Sequence, residues 1–353
     1  MAAGFRQHRW RWLWTAVLLA AALCFVFWAR LRGEENRFDW ALFVATLTRL
    51  HWGWLSLSVL VAISTYWGRA LRWAELMRPV RPNPSLWNLF SATAVGFTAL
   101  VLLGRPGEFV RPYLISLKEK VPLSSQWAAW VLERIYDLFM VLILAGIALS
   151  QVSASQVSVG PTIAWVLRVG GWALFVASVS CATLFLLLAN FSEKMRLRLL
   201  GALGFLRQRH FQKAERIVNA FLKGIEGTKD LRSSLILLGY SILEWSLIVF
   251  CCLCITKAFG AAVPFRIIDV IVFLGFVAFG SVIQLPGIGG GVQVASIIVL
   301  TELYHIPLET ATSFSLVMWF ITILVIVPVG LTLAVHEGLN WTMLRAAEEE
   351  IPQ

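Results

Sequence analysis

Three charged residues lie within an apolar run of the sequence. Glu133, Arg134 and Asp137 fall near the middle of Gln126–Ser150, whose other residues are mostly apolar. On a helix, Glu133 and Asp137 share a face, and Arg134 is close enough to Asp137 to pair with it. A charge at the centre of a bilayer costs about 2.5–3.5 kcal/mol on insertion scales. Such residues are therefore candidates for a functional site.

A second set of charges follows a break in another apolar run. Arg105, Glu108 and Arg111 are spaced by three residues, at and after the break Gly104–Gly107. This spacing predicts that the three side chains share one face of a short helix. Glu244 is central in an apolar run of its own. Three cations and four anions are thus expected in or near the apolar zone.

Together these residue types predict a polar cavity that binds an anionic head group. The planar guanidinium fork of arginine matches phosphate bidentately. The helix N-termini expected at Gly107 and at Gly289, Gly290 and Gly291 would add N–H donors and positive potential. The carboxylates would orient the arginines or carry a coupling proton. The alternative is a closed ion-pair network that pins two broken helices together, but buried pairs often only break even in stability.

Four further residues are secondary candidates. Arg69 and Arg72 lie at one end of an apolar run and are interpreted first as positive-inside anchors and second as substrate ligands. Gln284 and Gln293 flank the glycine-rich break Pro286–Gly291. We expect them either to line the cavity or to satisfy backbone groups that the break leaves unpaired.

The elements that must position these residues are membrane helices. The chain of 353 residues is 59% hydrophobic and 14% charged, whereas a typical soluble domain is about 25% charged. A spanning helix needs about 20 mostly apolar residues. The runs that provide it are Trp12–Ala29, Trp52–Leu76, Gln126–Ser150, Thr162–Asn190, Ser233–Cys254 and Thr310–Val335. We therefore predict a single transmembrane domain over residues 1–353.

Loop charge sets the expected topology. The basic segment Lys194–Arg232 and both termini are predicted to be cytoplasmic, as is Arg69–Arg81. The chain must then cross the membrane an even number of times between these two segments. The stretch Ser85–Leu117 crosses twice or not at all, and its second apolar run is too short to span. A re-entrant hairpin satisfies both conditions.

The same reasoning predicts a second hairpin around Pro286–Gly291, entering from the opposite face. The expected fold is an all-α polytopic membrane protein with six full transmembrane helices and two opposed re-entrant hairpins. Hydropathy would show about eight segments, and the arrangement is compatible with an inverted repeat. Residues 193–230 are predicted to form a basic amphipathic segment on the inner leaflet of the cytoplasmic membrane. The net charge of +10 is attributed to such loops and not to nucleic-acid binding.

Four motifs, in this order, are shared with a known family. They are R-A-L-R-W at Arg69–Trp73, G-R-P-G-E-F-V-R-P at Gly104–Pro112, E-R-I-Y-D at Glu133–Asp137 and the glycine-rich break at Pro286–Gly291. Over most of its length the chain resembles the lysylphosphatidylglycerol synthase transmembrane, or flippase-like, family. The resemblance implies a flippase for a lipid or a glycolipid.

The resemblance also implies which residues form the core polar site. By position these are Arg105, Glu108, Arg111, Glu133, Arg134 and Asp137. The chain departs from the family in lacking a soluble aminoacyl-transferase domain, so lysyl-lipid synthesis is not expected of it. It also carries Gln293 where the resemblance suggests an acidic residue, which argues against a coupling role for a carboxylate there.

The predicted function is a flippase or transporter of an anionic lipid or of a polyprenyl-phosphate-linked glycan, with no cofactor and no metal. One alternative is a polyprenyl-phosphate-dependent glycosyltransferase with Glu133 or Asp137 as its base. Against it, the four aspartates include no D-x-D pair for a metal-bound nucleotide sugar. A second alternative is a non-catalytic subunit that anchors a partner enzyme through Lys194–Arg232. The sequence thus favours a membrane protein that is not an enzyme.

Overall fold

In the computed structural model of this chain, helices make up almost all of the described residues. The structure describes residues 38–155, 231–280, 284–285 and 289–337, together with the isolated positions 176, 179, 180, 212, 215 and 219. The predicted spans Trp12–Ala29 and Thr162–Asn190 and the segment 193–230 lie outside the described residues except at those positions. The predicted all-α class is confirmed by the part that is described.

Ten α-helices are present in the described ranges, and we number them in chain order. They are α1 (Trp40–Thr48), α2 (Trp52–Met77), α3 (Leu86–Leu103), α4 (Val110–Glu119), α5 (Leu123–Ser155), α6 (Leu231–Phe259), α7 (Ile267–Gly280), α8 (Gly291–Glu302), α9 (Leu308–Trp319) and α10 (Ile326–His336). The shorter elements are 3-10 helices at Arg105–Phe109 and Gly260–Ala262, a π-helix at Phe320–Leu324, and strands β1 (Gln284–Leu285) and β2 (Gly289–Gly290).

Three helical segments of the described chain are long and apolar enough to cross a membrane. They are Leu86–Leu103, Arg232–Ala262 and Leu308–His336. Helices α2 and α5 are also long, at 26 and 33 residues, but both carry charged residues in the interior of the helix. At about 1.5 Å per residue, both exceed the hydrocarbon core of about 30 Å. The chain thus has the helices of a membrane protein.

Helices α3 and α4 form an antiparallel pair, called the first hairpin. The start of α3 and the end of α4, its open end, lie side by side. Glu119 at the end of α4 accepts a 2.7 Å hydrogen bond from Asn88 Nδ2 at the start of α3. Its other oxygen pairs with Arg81 Nε at 2.7 Å. Helix α4 has ten residues, which make it about 15 Å long. It therefore returns the chain to the end from which α3 starts.

Glycines make the turn of the first hairpin. Gly104 has a φ of 73°, a left-handed conformation that favours glycine. Gly107 packs so closely on α3 that an added Cβ would overlap the backbone of Ala99 and Leu100. The two arms of the hairpin therefore touch backbone to backbone near its tip.

Helices α7 and α8 form the second hairpin, and a short antiparallel pair of strands lies between them in the chain. Strand β1 pairs antiparallel with β2, with Gln284 opposite Gly290. Gly290 has a φ of 97°, which glycine adopts much more readily than other residues. At the open end of the hairpin, Tyr304 Oη donates a 3.0 Å hydrogen bond to the carbonyl of Asp269. The start of α7 and the end of α8 therefore also lie side by side.

Two apolar cores surround the two hairpins and share the long helices. The first core joins the first hairpin to the C-terminal half of α2 and the N-terminal half of α5. The second joins the second hairpin to the N-terminal half of α2 and the C-terminal half of α6. Arg81, just beyond α2, contacts the open end of the first hairpin, whereas Leu50, just before α2, shares a core with Phe265 and Leu303 at the open end of the second. The hairpins therefore open toward opposite ends of α2.

The last helical segment is divided between the two cores at the π-helix. Helix α9, before it, packs on α8 of the second hairpin. Helix α10, after it, packs on α3 of the first hairpin, where an added Cβ at Gly330 would approach the Ala94 carbonyl oxygen to 2.6 Å. At the junction, Tyr66 Oη of α2 donates a 3.3 Å hydrogen bond to the Thr322 carbonyl. The chain thus packs in the second core before the π-helix and in the first core after it.

Candidate functional site

A buried carboxylate on α5 joins α2 to the first hairpin. Glu133 has no exposed surface, and its Oε1 accepts hydrogen bonds from Arg72 Nη2 at 2.7 Å and from Arg111 Nη1 at 3.0 Å. Its Oε2 accepts from Arg111 Nη1 at 3.0 Å and from Arg134 Nη2 at 3.3 Å. Charge-assisted bonds of this kind are about twice as strong as neutral ones. Glu133 therefore fixes three arginines from three separate helices.

Arg72 of α2 is surrounded by carboxylates. Besides Glu133, its Nη1 lies 2.8 Å from Asp137 Oδ1 and 3.2 Å from Glu244 Oε2. The prediction that Arg72 is a positive-inside anchor is wrong, because its side chain is 1% exposed. Carboxylates on α5 and α6 compensate its charge. The sequence of α2 alone could not show that these carboxylates lie beside it.

Arg69, one turn before Arg72, is held at the edge of the same cluster. Its Nη2 lies 2.8 Å from Glu244 Oε1, and its side chain is 16% exposed. Its guanidinium carbon lies 4.7 Å from the centre of the Phe97 ring. Arg69 is therefore part of the site. The cluster of Arg69, Arg72, Arg111, Arg134, Glu133, Asp137 and Glu244 is called the charged cluster below.

Aromatic and amide side chains that the sequence analysis missed hold Arg111 in place. Its guanidinium carbon lies 4.0 Å from the centre of the Trp73 ring, a distance at which the cation attracts the ring. Trp73 Nε1 donates a 2.9 Å hydrogen bond to the buried Gln126 Oε1. Gly96 allows the approach, since an added Cβ would lie 2.6 Å from Arg111 Cβ. The R-A-L-R-W motif contains Trp73, and this was the one available sign of its role.

A cavity of about 350 Å³ lies between the charged cluster and the second hairpin. Its polar lining consists of Arg69, Glu108, Arg111, Arg134, Asp137 and Glu244. Apolar and aromatic side chains form the rest, among them Phe97, Trp130, Trp245, Leu274, Val277 and Val292. In the described ranges no group of three or more histidine, cysteine, aspartate or glutamate side chains is placed to hold a metal ion. The cavity therefore has one charged wall and one apolar wall.

Arg134 is the most exposed arginine of the charged cluster. Its side chain is 42% exposed, and its Nη2 lies 3.3 Å from both Glu133 Oε2 and Asp137 Oδ2. The predicted pairing of Arg134 with Asp137 is confirmed. The same two carboxylates have shorter contacts with Arg72 and Arg111. With all groups ionised, four guanidiniums against three carboxylates leave the charged cluster with one net positive charge.

Arg105 and Gly107 differ from their predicted roles. Arg105 is 52% exposed, pairs with Glu108 at 2.8 Å, and is not among the described residues that line the cavity. Arg105 and Glu108 share a face of the 3-10 helix Arg105–Phe109, as predicted. Arg111 differs from the prediction, because it belongs to α4 and pairs with Glu133. Gly107 is buried, and its amide donates a 2.9 Å hydrogen bond to the Gly104 carbonyl. It is therefore not a free donor for a ligand.

No described residue of the glycine-rich break Pro286–Gly291 lines the cavity, which is reached at the next residue along the chain. Val292 lines the cavity, whereas its neighbours Gly291 and Gln293 are not among the described lining residues. Gly289 and Gly290 belong to β2, whose backbone pairs with Gln284–Leu285. Their role as free donors and that of Gln284 and Gln293 as cavity residues stay predictions. The structure shows that the backbone of Gly289–Gly290 pairs with that of Gln284–Leu285 on the other side of the break.

Fold and site together define a polytopic membrane protein with a buried arginine–carboxylate cluster between two helical hairpins. Residues 13–330 match the family described as the lysylphosphatidylglycerol synthase TM region. The chain therefore belongs to this family, as its motifs predicted.

The comparisons also identify a curated relative that is similar over part of the chain. Glycosyltransferase AglD of Haloferax volcanii is 30% identical over 88 residues, which are 25% of this chain and 14% of that protein. The chain thus spans a small part of this relative's length. No solved structure matches the chain.

Replacing Glu133 with glutamine should destabilise the fold. Removing the carboxylate charge leaves Arg72 and Arg111 buried with less compensation, and breaking a buried ion pair typically costs about 3–5 kcal/mol. The matched control is Glu75→Gln, because Glu75 pairs with the exposed Arg78 and such pairs contribute at most about 1 kcal/mol. Thermal unfolding of the purified proteins in detergent measures the difference. Equal unfolding temperatures for the two variants would contradict the structural role given to Glu133.

Proposed function

We propose that this protein moves an anionic lipid, or a lipid-linked sugar phosphate, across the cytoplasmic membrane. The observation that carries the proposal is the cavity with arginines and carboxylates on one wall and apolar side chains on the other. An amphiphile presents the same two surfaces. Its head group would occupy the charged wall while its acyl or prenyl chains stay in contact with the apolar wall and the bilayer.

Arg134 is the proposed ligand for the phosphate of the head group. Its planar fork can bind phosphate bidentately, and its exposed side chain faces the cavity. Turning toward a ligand would give up two 3.3 Å contacts. Glu133 would keep its shorter bonds to Arg72 and Arg111. The remaining cluster therefore serves as a fixed frame from which one arginine can bind and release a ligand.

The proposed arrangement in the membrane has six full spans, two opposed re-entrant hairpins and cytoplasmic termini. Supporting it, each hairpin has open ends that meet, and the two hairpins open toward opposite ends of α2. Two broken helical elements of this kind in the two halves of a chain are typical of transporters built from inverted repeats.

The arrangement predicts which side of the membrane can label introduced cysteines. In a background without native cysteines, cysteines replacing Arg78 and Lys120 should react with an impermeant reagent from the cytoplasmic side. A cysteine replacing Ala261 should react from the other side. Labelling of the Arg78 and Lys120 positions from different sides would show that the first hairpin crosses the membrane, contrary to the proposal.

Arg134→Gln should abolish most of the lipid movement. A hydrogen bond to a charged group contributes about 1.5–3 kcal/mol, so the rate should fall by about 10- to 100-fold. The assay uses proteoliposomes that contain fluorescent anionic phospholipids or polyprenyl-phosphate sugars, with head-group exposure followed over time. Arg78→Gln is the matched control, because Arg78 is 59% exposed and lies outside the cavity. Equal rates for wild-type protein and Arg134→Gln would contradict the proposed site.

The similarity to Glycosyltransferase AglD supports a second candidate function. Glu108 and Asp137 line the cavity and are 16% and 17% exposed, so either could serve as a general base toward a polyprenyl-phosphate acceptor. Incubation with polyprenyl phosphate and radiolabelled sugar donors distinguishes the two functions. Formation of a glycosylated lipid would favour the enzyme, and movement of lipid without a chemical change would favour the transporter.

A further inference from the structure

An apolar groove, separate from the cavity, lies between the first two turns of α2 and the end of α9. Its volume is about 480 Å³, and its described lining comes from Trp52–Val59 of α2 and from Leu316–Ile321 of α9 and the π-helix. No charged residue is among the described lining residues, and Ser56 supplies the one hydroxyl group. The rims are open, since Trp52 is 71% and Phe320 58% exposed. Side chains along an unfilled groove forfeit van der Waals contacts, so the groove favours an apolar occupant.

The described chain begins beside the helix that forms one wall of this groove. The backbone N–H of Asp39 donates a 3.0 Å hydrogen bond to Oε1 of Glu309, in the first turn of α9. One turn further along α9, Ser313 Oγ donates a 3.4 Å hydrogen bond to the Phe43 carbonyl of α1. Residues 1–37 therefore join the described chain at the N-terminal end of α9.

The other wall of the groove starts at the same level. Tyr66 of α2 donates a 3.3 Å hydrogen bond to the Thr322 carbonyl, and the two residues lie 14 positions after the first residues of α2 and α9 respectively. Leu50 and Ile306, just before the two helices, share the second core. The two helices therefore run in the same direction, and the groove extends away from the end at which residues 1–37 join.

The sequence supplies an apolar segment close to this end. Trp12–Ala29, which lies outside the described residues, is an apolar run of 18 residues, and a spanning helix needs about 20. Eight residues separate the run from Phe38, and an extended chain of this length reaches at most about 30 Å. A span formed by the run would thus have to cross the membrane near the groove.

We propose that the run Trp12–Ala29 forms a helix that occupies the groove between α2 and α9. It would run opposite to α2, because its C-terminal end joins the described chain at the level where α2 starts. The short connection favours this occupant over a segment of a second copy, since linkage makes the contact intramolecular and raises its effective concentration. The proposal is independent of the proposed function, because it concerns how the membrane domain is assembled and not what it moves.

The composition of the run fits the groove at the matching depth. Counted from the end nearest Phe38, Ala22 is seven residues into the run, and Val59 is seven residues into α2. At 1.5 Å per residue, both positions are about 10 Å deep. Ala20 and Ala21 precede Ala22, and small residues allow the backbones of membrane helices to approach closely. The proposed helix would therefore be narrowest where it meets the two walls.

Photo-crosslinking from inside the groove identifies its occupant. Full-length protein in proteoliposomes carries p-benzoylphenylalanine in place of Phe320, and mass spectrometry identifies the products formed on illumination. The proposal predicts a link to a peptide of Trp12–Ala29. A mixture of isotope-labelled and unlabelled chains should show that both linked peptides come from one chain. The control position is Phe250 of α6, which is 42% exposed and is not among the described lining residues, and it should give no link to this run.

Cysteine pairs test the same contact at a defined depth. In a background without native cysteines, Ala20→Cys, Ala21→Cys and Ala22→Cys are each combined with Val59→Cys and treated with a short bifunctional thiol reagent. At least one of these pairs should be joined within a chain, because one of three successive helix positions faces the wall. The same three cysteines combined with Phe250→Cys should not be joined.

Three results would overturn the proposal. Capture of a lipid alone from position 320 would make the occupant a lipid tail, and capture of a peptide from another chain would make it a second copy. Absence of every link between the run and the groove, in protein that keeps the wild-type unfolding temperature, would place the run elsewhere. None of these results bears on lipid movement, so the proposed function stands or falls separately.

Discussion

The carboxylate of Glu133, held between the guanidinium groups of Arg72 and Arg111, is the interaction on which the rest of the site depends. It joins α5 to α2 and to the first hairpin, and none of the three side chains is more than 5% exposed. Each of these charges would be costly alone in an apolar core. The three helices must therefore stay in contact at this level, and the position of the first hairpin follows from that requirement.

The two hairpins contribute differently to the cavity that this frame supports. The first supplies Glu108 and Arg111, and its tip is tightened by glycine contacts on α3. The second supplies apolar side chains such as Leu274, Val277 and Val292. A site with this division suits a molecule that is charged at one end and apolar at the other. The π-helix at Phe320–Leu324 lies where the chain passes from one core to the other.

Much of this arrangement was accessible from the sequence, because some of its constraints are local. Charges within the apolar run Gln126–Ser150 identified Glu133, Arg134 and Asp137, and the short second arm at Phe109–Leu117 predicted a chain reversal. The roles of other residues depend on partners distant in sequence. Arg72 is near the end of an apolar run, and its burial becomes understandable only when Asp137 and Glu244 are brought to it.

The type of a residue alone does not decide the role of a glycine or of a tryptophan. A glycine after a break can expose an amide or allow close packing, and Gly107 does the second. Trp245 Nε1 has no hydrogen-bond partner among the described residues, and no sequence pattern indicates this. The sequence analysis also missed Trp73 and Gln126, because their roles depend on contacts between helices.

The central claim is that Arg134 binds the phosphate of a lipid in the cavity, and native mass spectrometry of the purified protein tests it most directly. The account predicts that wild-type protein and Arg78→Gln retain a phosphate-bearing lipid through mild detergent exchange. Arg134→Gln should lose this lipid while staying folded. Retention of the same lipid at the same occupancy by Arg134→Gln would contradict the account.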